Sequence, residues 1–123
     1  MTYLCETAQR ETEEEVGVSR KSISMLGELT PLYIPVSNYM VYPFVGVCNT
    51  APVFTVHPLE VKYLIEVDLN ELLSDTNKTT TMKHIKIRNQ EMEVPCHDIN
   101  GKIIWGATAM IISEFSEIIR RMN

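Results

Sequence analysis

The dozen residues TAQRETEEEVGV, Thr7 to Val18, hold four glutamates, Glu11, Glu13, Glu14 and Glu15, directly after one arginine, Arg10. On a helix, side chains three and four apart are neighbours, so Glu11, Glu14 and Glu15 share one face while Glu13 is turned away. Carboxylates at that spacing repel one another by about 0.2–0.5 kcal/mol per pair. Water and salt, the nearby Arg10 or a bound divalent cation can each offset the repulsion, and a hard cation does so with oxygen ligands. Taken by itself, a glutamate-rich helix is most often a solvated face.

Other residues with chemical potential are scattered. Cys5, Cys48 and Cys96 are odd in number and form no C-x-x-C pair, so they indicate neither a disulfide framework nor a zinc site, and they suit a reducing cytoplasm. Cys96-His97 invites a nucleophile reading, but no glycine elbow accompanies it, and a strand thiol beside a surface imidazole is expected. His57 and His84 read as isolated. Trp105 reads as a core anchor at a strand-to-helix junction, and Asp98 and Asn100 as parts of a turn.

These residues need elements to position them. Residues 5–16 read as a helix with a thin apolar side, Cys5, Ala8, Thr12 and Val16, closed by Gly17 in the left-handed conformation. SISMLGELT reads as a strand, PLYIPVSN as a proline-punctuated loop, and YMVYPFVGVCN as a buried strand. A further strand is expected from Val61 to Val67, then a helical turn from Asp68 to Ser74 and a loop at DTNKTTT. MKHIKI, EMEVPCH and KIIW read as three strands, the last two joined by the hairpin dipeptide Asn100-Gly101. The chain ends in a helix over 106–122, with Thr108, Ile111, Ile112, Phe115, Ile118, Ile119 and Met122 expected as its core stripe. The class is α+β, without internal repeats.

A chain of 123 residues, 45% apolar and 22% charged, is one ordinary globular domain. The net charge of −5, with no run of Lys or Arg, argues against nucleic acid or an anionic membrane as main partner. No apolar run approaches spanning length.

The string RETEEEVGV resembles the second half of the Nudix box, G-x5-E-x7-R-E-U-x-E-E-x-G-U, where U is bulky and apolar. Arg10, Glu11, Glu14, Glu15, Gly17 and Val18 fall on its fixed positions, and Thr12 replaces the first U. LTPLYIPVSNYMVYPFVG and MEVPCHDINGKIIWGATAMIISEF look like the later segments of the coenzyme A pyrophosphatase-like branch. The resemblance implies one partial Nudix domain over 1–123: a mixed sheet with the catalytic helix and a C-terminal helix packed on it. It implies an enzyme that hydrolyses the diphosphate linkage of a small-molecule nucleoside diphosphate derivative, coenzyme A or an acyl-coenzyme A, with Mg²⁺ or Mn²⁺. Glu14 and Glu15 are then metal ligands, Glu11 a ligand or proton acceptor, and Arg10 the group that orients them. Glu60 lies where several branches carry a further acidic residue, though an exposed glutamate is the plainer reading, and Tyr33, Ser37, Asn38 and Tyr39 lie in a loop that could border substrate.

The first half of the box would precede Arg10. Counting back eight residues reaches Thr2, and the box glycines would fall before Met1, so the fold's N-terminal strands are expected to be missing. A sheet lacking strands exposes edges that pair with other chains, so a homo-oligomer is expected. The alternative function is a catalytically silent domain acting only through oligomer or partner contacts.

Overall fold

The computed structural model describes residues 3–61 and 64–122. Helix α1 spans Tyr3–Val16, followed by strands β1 (Ile23–Glu28), β2 (Leu32–Ile34), β3 (Tyr39–Val41) and β4 (Phe44–Cys48). A short helix α2 (Leu69–Leu73) precedes β5 (Lys78–Ile85), β6 (Gln90–Ile99) and β7 (Lys102–Trp105), and α3 covers Gly106–Met122. The α+β class is as expected. In place of one mixed sheet, the described residues form three antiparallel ladders, β1-β4, β2-β3 and β5-β6-β7. Neighbouring strands joined by tight turns pair antiparallel, because a parallel partner needs a long crossover.

The chain gathers into two compact units, residues 1–30 with 42–66, and residues 31–41 with 67–123. In the first unit, β1 pairs with β4 from Ile23↔Cys48 to Glu28↔Phe44, with a bulge between Met25 and Gly27. Cys5, Val18 and Pro43 are buried in it. The residues Ala8, Thr12 and Val16 of α1 face Ile23, Met25 and Phe44 across a cavity of about 240 Å³. The thin apolar side expected of this helix is thus its inward side.

In the second unit, three asparagines make the turns. Asn38 (φ 59°), Asn89 (φ 49°) and Asn100 (φ 52°) adopt the left-handed conformation that asparagine tolerates better than most residues, and Gly101 (φ 82°) completes the two-residue turn between β6 and β7. Asp98 Oδ1 accepts the Gly101 N–H at 3.0 Å, the turn role expected of it. α3 packs on β6 and β7. Its bounds match the expected ones, but its stripe does not: Ala109 and Ser116 are its buried residues, whereas Ile118 and Met122 are exposed. The face closest to the sheet requires small side chains, so the bulky residues flank it.

Four further expectations are corrected. PLYIPVSN is a hairpin arm and turn, because Leu32–Ile34 pairs with Tyr39–Val41. YMVYPFVGVCN is two strands broken at Tyr42-Pro43, with Tyr39 and Met40 exposed; proline removes a ladder donor, and the two halves pair with different partners. Val61 and residues 64–67 carry no strand, since no described segment pairs with them, and Lys62 and Tyr63 lie outside the described residues. DTNKTTT is a 3₁₀ turn at Asp75–Asn77 running into β5. The turn at 68–74 is α2, with Asp68 Oδ1 capping the Asn70 N–H at 2.8 Å.

Candidate functional site

α1 ends as its sequence requires. Gly17 takes φ 75° and donates to the Glu13 carbonyl at 2.9 Å. The last carbonyls of a helix have no partner within it. Here the following chain supplies them: Thr55 N–H donates to the Val16 carbonyl at 2.8 Å and His57 N–H to the Glu15 carbonyl at 2.7 Å. The turn that carries Glu14 and Glu15 is thereby tied at its backbone.

The four glutamates divide as the helical spacing says. Glu13 serves structure: Arg20 donates to its carboxylate from the backbone N–H at 3.0 Å, from Nε at 3.2 Å and from Nη2 at 3.0 Å. The Arg20 backbone bond, with the guanidinium behind it, holds the Glu13 carboxyl below its ordinary value of 4.5. Glu11 and Glu14 are exposed and Glu15 is half-buried. Arg10 Nη1 lies 3.6 Å from Glu14 Oε1, an exposed ion pair with one member of the trio.

Two forces act against this carboxylate face. One is mutual repulsion, and the other is position, because the four acids occupy the C-terminal half of α1, where the helix dipole disfavours negative charge. The helix carries no basic residue in its last turn. A divalent cation would relieve both. Among the described residues, no three His, Cys, Asp or Glu side chains are already drawn into a coordinating group. The donor chemistry nevertheless fits Mg²⁺ or Mn²⁺: hard oxygens on an accessible face. Magnesium in particular uses one or two carboxylates and completes its shell with water and phosphate oxygens.

The remaining candidates fall elsewhere. Glu60 is exposed in a turn, its N–H donating to the His57 carbonyl at 3.1 Å, and is not at a strand end. Tyr33 and Asn38 bond to each other across their hairpin, hydroxyl to Oδ1 at 2.6 Å, instead of lining a loop. Trp105 is 38% exposed and stacks under Lys83 Nζ at 5.5 Å from the ring centroid, so it is no core anchor. His84 is not isolated, since its Nδ1 lies 3.2 Å from Glu91 Oε1, and His57 Nδ1 accepts the Leu59 N–H at 3.3 Å. His97, expected at the surface, is buried at 3% exposure between Asn77 and Ser113. Neither partner is near it in sequence, so no local pattern signalled it.

α1 thus presents an R-E-x-x-E-E face closed by a left-handed glycine. No family model matches the chain. Individual proteins do. It is 32% identical over 116 residues to a protein of Photorhabdus laumondii named uncharacterized Nudix hydrolase NudL, covering 93% of this chain and 59% of that protein. Proteins of the same name from Yersinia pestis and Yersinia pseudotuberculosis are 33% identical over 114 residues, 93% of this chain and 56% of theirs. The chain is thus similar to proteins named as Nudix hydrolases, and it spans a little under three-fifths of the length of the curated relatives it matches.

Proposed function

We infer that the chain carries the metal-binding helix of a diphosphate hydrolase whose substrate is a nucleoside diphosphate derivative, coenzyme A or an acyl-coenzyme A. The observation that supports this reading is the exposed face of α1, where Glu11, Glu14 and Glu15 stand at box spacing with Arg10 against Glu14. Mg²⁺ or Mn²⁺, when bound, neutralises the carboxylates and the charge that develops on phosphate oxygens. Glu14 and Glu15 would hold the cation. Glu11 ligates it or takes a proton from the water that attacks phosphorus. Arg10 limits the rotation of Glu14 by ion pairing. The bridging P–O bond breaks, and the phosphopantetheine and adenosine bisphosphate portions separate. Three scattered cysteines without a C-x-x-C pair support a reducing cytoplasm as the setting.

A second reading, a silent domain acting through association, is favoured by apolar exposure. Leu59 is 91% and Val53 84% exposed, and Leu26 and Tyr39 are exposed as well. Side chains of this kind drive self-association when they are grouped.

One experiment separates the two. Hydrolysis of coenzyme A, ADP-ribose, NADH and dGTP is measured with Mg²⁺ and with Mn²⁺, for the protein and for Glu14→Gln with Glu15→Gln. Metal-dependent turnover of coenzyme A that the double variant loses supports the hydrolase. Preference for dGTP overturns the branch, and an equal response to metal from both proteins removes the site.

A further inference from the structure

Three polar side chains of the second unit form a connected chain. Asn77 is buried, and its Nδ2 donates to the carbonyls of Glu71 at 2.9 Å and Leu72 at 3.4 Å. A nitrogen aimed at two carbonyls fixes which way the amide faces, so Oδ1 is the atom 2.9 Å from His97 Nδ1. That oxygen only accepts. In the neutral ring the proton therefore sits on Nδ1, and Nε2 holds a lone pair. Ser113 Oγ lies 3.2 Å from Nε2, so its hydroxyl donates there.

Helical hydroxyls ordinarily bond the carbonyl one turn back, and Thr7 and Thr12 of α1 do so, to Tyr3 and Ala8 at 3.0 and 2.8 Å. Ser113 meets an imidazole base that is itself held by an amide. Nucleophile, base and orienting group in hydrogen-bond sequence is the arrangement that activates serine in unrelated folds. His97 is 3% exposed but borders the same groove as Ser113, which is exposed. The groove holds about 600 Å³, and its lining includes Val94, Pro95, Trp105 and Met110. That volume suits a small organic ligand, and its apolar lining suits an acyl chain better than a polyanion.

We propose that Ser113 is an activated nucleophile and that this groove is a second site, which accepts the acyl group of a small apolar ester. Ser113 Oγ bonds to the carbonyl carbon as its proton passes to His97 Nε2. The bond from that carbon to the ester oxygen breaks, and the departing alkoxide takes the proton from Nε2. Water then adds to the same carbon as its proton passes to Nε2, the bond from that carbon to Ser113 Oγ breaks, Oγ takes the proton back from Nε2, and the carboxylic acid is released. Asn77 is a positioning residue that keeps the ring's lone pair toward Ser113.

The test uses p-nitrophenyl butyrate and a fluorophosphonate probe on the full chain. The expected results are a stoichiometric burst of nitrophenolate and probe attached at Ser113 by peptide mass. Ser113→Ala should lose both, and His97→Gln should slow labelling by about 10²-fold or more. Because His97 is buried and its variant can unfold, the ¹⁵N spectrum of the unsubstituted protein is recorded as well, where the Nδ1–H tautomer is expected. Labelling spread over other serines, labelling unchanged in Ser113→Ala, or the Nε2–H tautomer would overturn the proposal.

Discussion

Replacing Gly17 by alanine tests how the glutamate helix is held. At φ 75° an alanine occupies the left-handed region, which costs an L-residue about 1–2 kcal/mol. Its Cβ would also lie 2.8 Å from the carbonyl oxygen and from Cβ of Thr55, and 3.0 Å from the Thr55 nitrogen. Two of those atoms are backbone, and the Thr55 N–H is already bonded to the Val16 carbonyl at 2.8 Å, so the neighbour cannot give way without breaking that bond. Overpacking of this kind costs about 1–3 kcal/mol. The sum is about 2–5 kcal/mol, against a total of about 5–15 kcal/mol for a domain. With a mid-range urea slope of about 2 kcal/mol/M, the unfolding midpoint should fall by about 1–2.5 M. The same displacement loosens the turn that carries Glu14 and Glu15, so the Mg²⁺ response should weaken in whatever fraction remains folded. Gly27→Ala is the control, because a Cβ there meets nothing within 4 Å. Its midpoint should stay level or rise slightly, by up to about 1 kcal/mol in stability. If Gly17→Ala unfolds with the unsubstituted protein, neither the left-handed cap nor the Thr55 contact exists in solution, and the account of how this helix ends is wrong.

Two other predictions concern charge and association. Arg20 lowers the Glu13 carboxyl from its ordinary 4.5, so the contribution of that contact is present above the unfolded value and is lost as pH falls through the folded one. The Arg20 amide resonance should therefore shift as pH drops below 4.5, and Glu13→Gln should abolish that shift while leaving the metal response intact; a titration identical in the variant would contradict the pairing. The exposed apolar residues Leu26, Tyr39, Val53 and Leu59 should make the protein sediment as a homo-oligomer, and a compact monomer at high concentration would count against the associating reading.

Features written in short-range pattern were legible before any coordinates. The glutamate face of α1, its glycine stop, the Asn100-Gly101 turn and the extent of α3 each depend on residues within a turn or two of one another, where helical spacing and backbone tolerance decide. The Arg10–Glu14 pair belongs to this group, being one helical turn apart. Features that depend on a distant partner were not legible. One apolar run, Tyr39–Cys48, became two strands because β3 pairs with β2 and β4 with β1, and hydrophobicity alone does not name a partner. Val61–Val67 has strand composition and no described ladder, because a strand exists only where another segment completes its hydrogen bonds. The sharpest case is His97. Its alternating strand pattern gave no reason to bury an imidazole, and only the fold brings Asn77 from one side and Ser113 from the other, twenty residues before it and sixteen after, to satisfy both ring nitrogens. Sequence alone determined which charged groups share the helix face; tertiary structure decided which of its other polar groups meet, because burying a ring nitrogen is tolerated only where the chain returns a partner to it.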